Sequence, residues 1–189
     1  MKPLMISAAS KSFTEPAVSE CVGTVFNQNR EELEWLANFL TGDEKIAEAC
    51  VVDACAQAEL ENPGLQEWPS TWASISTIRS AAQIQQQRIA QLSSAYMQSG
   101  CIHGEHTVSS DWCDVLLEES SVVCARLDIF CRFALVICGL EKRSANEAAL
   151  LLGVDPASVE GAYCAAIKSL EVISCEQFQR ENDSAAVCN

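Results

Sequence analysis

The chain has 189 residues, 49% of them apolar and 20% charged, enough to bury a core in one sizeable domain or two small ones. Its formal net charge is −14, which sets it against phosphate backbones and anionic membrane surfaces at long range. The longest apolar run, FALVICGL at 133–140, is too short to cross a bilayer.

Ala, Ser, Leu and Glu dominate, with only 8 Gly and 5 Pro, so the expected fold class is all-α. Residues 1–20 read as a loose leader that lacks the apolar stretch of a signal peptide. REELEWLANFL (30–40) places Leu33, Leu36, Phe39 and Leu40 on one face of a helix. Gly42 then fits a helix C-terminus, and Asp43 fits the cap of the next helix. EKIAEACVVDACAQAEL (44–60) carries an i, i+4 ladder of Ile46, Ala47, Cys50, Val51, Ala54, Cys55 and Ala58. After the break at ENPG, a longer helix is expected over about 70–97, with QIQQQ (83–87) as its solvated face.

The stretch 98–110 is polar, holds two Gly and loses periodicity, so it reads as a linker. The expected organisation is therefore a helical domain over 21–97, the linker, a second helical domain over 111–175, and a fraying tail over 176–189. In the second domain, WCDVLLEESSVV (112–123) precedes ARLDIFCRFALVICGLEKR (125–143), whose stripe runs through Leu127, Phe130, Cys131, Ala134, Ile137 and Cys138.

Eleven cysteines are scattered mostly inside these stripes. They read as small hydrophobes in a reducing cytoplasm, with Cys50, Cys55, Cys131, Cys138 and Cys164 in the core. The linker offers another possibility. Cys101, His103, His106 and Cys113 are ligand types suited to tetrahedral Zn. Their spacing follows no strong zinc signature, and a solvated linker without a cofactor is the preferred reading.

SANEAALLLGVDPASVEGAYCAAIKSL (144–170) has the outline of a helix-turn-helix. Ser144 and Glu147 form an S-x-x-E capping box. Ala149 is the small residue of the first helix, Gly153 the turn residue, and Val159 the β-branched anchor of the second helix. Asp155 or Ser158 can cap that second helix, and Pro156 suits its first turn. An ordinary helical hairpin with a Gly turn has the same spacing.

The wider stretch 127–170 resembles region four of RNA polymerase sigma factors of the extracytoplasmic-function type. The resemblance rests on Arg132, Val136, Leu140, Glu141, Ser144, Glu147, Ala149, Leu152, Gly153, Val154, Val159, Ala166 and Leu170 in matching order. WLANFLTGDEKIAEACVVDACAQA (35–58) is similar to the opening of region two of that family. The resemblance implies two small helical domains and a bacterial, cytoplasmic transcription regulator that is not an enzyme. Its implied partners are the polymerase core and, for the recognition helix, promoter DNA. On this chain the recognition-helix positions are Ser158, Glu160, Gly161, Tyr163, Cys164 and Lys168.

The chain departs from the family in charge. Lys168 is the one basic residue of SVEGAYCAAIKSL (158–170), and each lost phosphate contact removes about one unit of salt-dependent slope. In the first half, Trp68 and Trp72 are able to stack on unpaired bases, but a loop-anchoring role is favoured. The expectation is thus a sigma-like regulator acting through polymerase with weak or absent DNA contact. The alternative is a sigma mimic that binds an anti-sigma-like protein and no DNA.

Overall fold

The computed structural model describes residues 15–61, 69–97 and 120–187, and every regular element among them is a helix. The protein is all-α. No single helix among the described residues is long and apolar enough to cross a membrane.

Helix α1 (Glu15–Gln28) occupies part of the expected leader. Pro16 lies in its first turn, where a missing N–H costs little, and Val22 and Phe26, four apart, pack into the core. Helix α2 (Arg30–Thr41) ends at Gly42, whose φ of 72° lets its N–H reach the Asn38 carbonyl. Asp43 then caps α3 (Glu44–Glu61): its Oδ1 accepts from the N–H groups of Lys45 at 2.9 Å and Ile46 at 3.1 Å.

The single long helix expected over 70–97 is two, α4 (Pro69–Ile84) and α5 (Gln86–Tyr96). The break is at Gln85, which is buried and has ψ of 8°. Ile78 and Ile89, on either side of it, are both fully buried.

The second block is also more broken than its apolar stripe suggests. Helix α6 (Ser120–Arg126) stops before Asp128, which starts α7 (Ile129–Ala134) by accepting the Cys131 N–H at 2.9 Å. A short polar side chain at a cap outcompetes continuation of the helix. A π-helical segment, Leu135–Leu140, follows directly, and the N–H of Glu141 bonds to the Val136 carbonyl five residues back. Lys142 takes a φ of 56°, and the Arg143 N–H returns to the Ile137 carbonyl, which closes the end. Helices α8 (Ala145–Leu152) and α9 (Pro156–Val187) complete the chain. The tail expected to fray beyond Glu176 is helical to Val187. No Gly or Pro interrupts it after Gly161, and Arg126 grips Glu176 through two hydrogen bonds of 3.1 and 2.6 Å.

One cluster of buried side chains runs through both blocks. Helix α7 packs on α2, α5 and α9, and α8 rests on α4. Two polar contacts fasten the blocks. The buried Arg132 donates from Nη1 to the Phe39 carbonyl at the end of α2, 2.8 Å away. Tyr96, at the end of α5, donates its hydroxyl hydrogen to Asp128 and accepts the Cys131 thiol hydrogen at 3.1 Å. The expected linker, 98–110, lies outside the described residues.

Candidate functional site

Helices α8 and α9 form a tight corner, and the chain turns through 108° between them. Its parts are local. Ser144 and Glu147 make reciprocal side-chain-to-backbone bonds at the start of α8. Gly153, with φ of 68°, sends its N–H to the Ala149 carbonyl, and Asp155 accepts the Ala157 N–H at 2.8 Å. Ala149 is buried, and Val159 is fully buried.

The second helix of this corner is packed on most of its circumference. Of its expected recognition positions, Ser158 and Gly161 are buried, Tyr163 and Cys164 are half-buried, and Glu160 and Lys168 are exposed. Gly161 explains the packing. A Cβ placed there would lie 2.5 Å from the backbone oxygen of Tyr96, so α9 approaches the end of α5 closer than any other residue permits. Cys164, read from sequence as a core thiol, is half-buried and disulfide-bonded. The helical stripe that suggested a reduced Cys holds no information about a distant second sulfur.

Two thiols near this corner are held neutral. Burial, with Glu160 and Glu147 adding to it, pushes Cys138 up to about 11. Burial pushes Cys131 up to about 12, against a lowering bond to Tyr96. Neither is a thiolate at neutral pH, so neither has the character of a nucleophile. The Tyr96 hydroxyl is likewise raised, by burial first and then by its bond to Asp128.

A concave surface lies across α1, α2 and α3. A cleft of about 380 Å³ is lined by Arg30, Glu34, Trp35, Asn38, Glu44, Ala47 and Glu48. A second, of about 260 Å³, shares Arg30, Glu34 and Glu48 and continues over Phe26, Val51, Val52, Cys55 and Glu59. Arg30 stands between them, 2.6 Å from Glu34 and 3.7 Å from Glu48. Trp35 stacks on Phe39 at one end, with ring centroids 5.5 Å apart. The sequence pattern shows part of this face: Glu44, Glu48, Val52, Cys55 and Glu59 follow helical spacing on α3. What it lacks is the contribution of α1.

The remaining candidates are dispersed. Cys101, His103, His106, Cys113 and Trp68 lie outside the described residues. Trp72 is half-buried on α4 and meets the Phe26 ring edge-on at 5.9 Å. No group of three or more His, Cys, Asp or Glu side chains suited to a metal occurs among the described residues. Comparisons with family models, with curated proteins and with solved structures return no match for this chain.

Proposed function

We propose that this protein is a sigma-like transcription regulator that acts by binding protein rather than by reading DNA. The observation that carries the proposal is the seating of Gly161 on the Tyr96 carbonyl. With that contact made, the Gly161 side of the second helix is taken up by the fold, and the face left toward a major groove about 12 Å wide is the one that carries Glu160, Lys168 and Glu171. The exposed side chains at its recognition positions, Glu160 and Lys168, cancel in charge. The net charge of −14 acts in the same direction. The partners proposed are the RNA polymerase core or an anti-sigma-like protein, and they rest on the resemblance of residues 127–170 and 35–58 to sigma regions four and two.

Two measurements on the full chain test this. In a titration against duplex DNA at low salt, where phosphate contacts are strongest, no binding is expected. In a pull-down from native extract, polymerase subunits indicate a regulator seated on polymerase, and a small regulatory protein indicates a decoy. Salt-dependent DNA binding in the first measurement overturns the proposal.

A further inference from the structure

The stretch from α7 to α8 is held at both ends and slack between them. Before it, Asp128 caps α7 and Arg132 reaches the Phe39 carbonyl. After it, the capping box of Ser144 and Glu147 fixes the start of α8, and Ala148 and Ala149 are buried. Between them lie the π segment Leu135–Leu140 and the connection 141–144. A π turn closes its hydrogen-bonded ring with one residue more than an α turn does, so the segment stores a spare residue. Strain lies at its exit. Lys142, with φ of 56°, is the one residue other than Gly with a positive φ among the described residues. It takes that conformation where the Arg143 N–H reaches back to the Ile137 carbonyl at 3.0 Å. The left-handed region disfavours any residue with a Cβ. The Lys142 side chain is exposed, so the backbone imposes the conformation and side-chain packing does not.

We propose that Leu135–Leu140 is a two-position switch, whose spare residue passes between the π turn and the connection 141–144 while α7 and α8 stay in place. In the position seen here the helix holds the residue and Lys142 is left-handed. In the other, the segment winds as α-helix, the connection is longer by that residue, and Lys142 returns to an ordinary conformation. Gly139, buried within the segment, has no side chain to resist the change. The two positions differ in what they turn outward. Rewinding rotates Leu140 by about 100° relative to α7, and Cys138 by less. Both side chains are half-buried, and Cys138 lies close enough to Glu160 of α9 and Glu147 of α8 to feel their charge. Tyr163 of α9 feels Cys138 in turn. Glu160 belongs to the face of α9 that the fold leaves open. A shift in the π segment is therefore registered at that face, and a ligand of that face selects one position. The inference goes beyond the protein-binding reading and stands without it, because the switch belongs to the free chain.

The test is NMR relaxation dispersion on the full chain, which detects a minor state that exchanges on the microsecond-to-millisecond scale. Exchange is expected at the amides of 135–144 and of Glu160 and Tyr163, and not in Ile129–Ala134 or Ala145–Leu152. In the minor state the carbon shifts of Lys142 should leave the left-handed range. Two substitutions at this exposed position bias the switch in opposite directions, each with an unchanged circular dichroism spectrum. Lys142→Gly removes the penalty of the left-handed conformation and should lower the minor population by about fivefold or more. Lys142→Val places a β-branched side chain there and should raise it by at least about the same factor. Exchange absent from both the parent and Lys142→Val, or unchanged by either substitution, overturns the switch. Exchange spread evenly through α7 and α8 overturns it too, since that reports opening of the whole block. Exchange in 135–144 that leaves Glu160 and Tyr163 unaffected overturns the coupling to α9.

Discussion

In an isolated helix Gly161 would cost about 1 kcal/mol relative to Ala. In this fold an added Cβ meets the Tyr96 carbonyl oxygen at 2.5 Å, a backbone atom that cannot swing away as a side chain does. The change that ordinarily stabilises a helix is therefore expected to reverse sign. Gly161→Ala should lower the melting temperature, and a rise would show that α5 and α9 do not meet at this contact. Glu141 gives a second residue-level prediction. Burial raises its carboxyl above the usual range, against lowering contributions from Arg143 and Ser74. The folded state then holds that proton more tightly than the unfolded state. The side chain's contribution is most favourable at low pH and is lost as pH rises through the raised value. Glu141→Gln should raise the melting temperature near neutral pH, and the difference should vanish as pH falls to about 4. A difference independent of pH would refute the assignment.

At the level of elements, the features written in local chemistry were legible in the sequence. The Ser144–Glu147 capping box, the Gly42 and Gly153 termini and the Asp43 cap each depend on residues within four positions, and each is found where its residue types put it. The core face of α3 was legible too, because Ala47, Cys50, Val51, Ala54 and Ala58 repeat with the helix. The breaks were not. Gln85 and Asp128 sit inside runs whose apolar period continues across them, and the pattern of burial hides a change in backbone. The π segment is hidden for a related reason: Leu135, Val136, Ile137 and Gly139 are all buried, so no polar residue marks the altered turn. The corner was legible as a shape, whereas the surroundings of its second helix were not. Which side of α9 is covered is decided by α5 and α7, and their positions follow from contacts distant in sequence. The cleft across α1, α2 and α3 was half legible: the acidic and apolar spacing belongs to α3, and Phe26 belongs to α1.

At the scale of the whole molecule, the continuous core predicts how damage spreads. Val159 is fully buried in the second block, and an uncompensated carboxylate there should cost about 3 kcal/mol or more. Because Arg132 reaches the Phe39 carbonyl and Tyr96 reaches Asp128, the loss should not stay where it is made. Val159→Asp is expected to accelerate amide hydrogen exchange in α2 and α3 as well as in α8 and α9. Protection retained in α2 and α3 while α8 and α9 exchange freely would show two independently folding units. The π segment adds a constraint of another kind. Leu135–Leu140 carries more residues per turn than an α-helix, and only the short stretch 141–144 separates it from α8. Deleting one codon there would let the turn close as ordinary helix with the following chain nearly in phase, whereas adding one would swing that chain by about 100°. With the added codon, Val159 would leave its socket, and Gly161 would no longer face Tyr96. In a lineage descended from this gene, the letters between 135 and 140 are free to drift among apolar residues and to lose one of their number, whereas a further letter has no room.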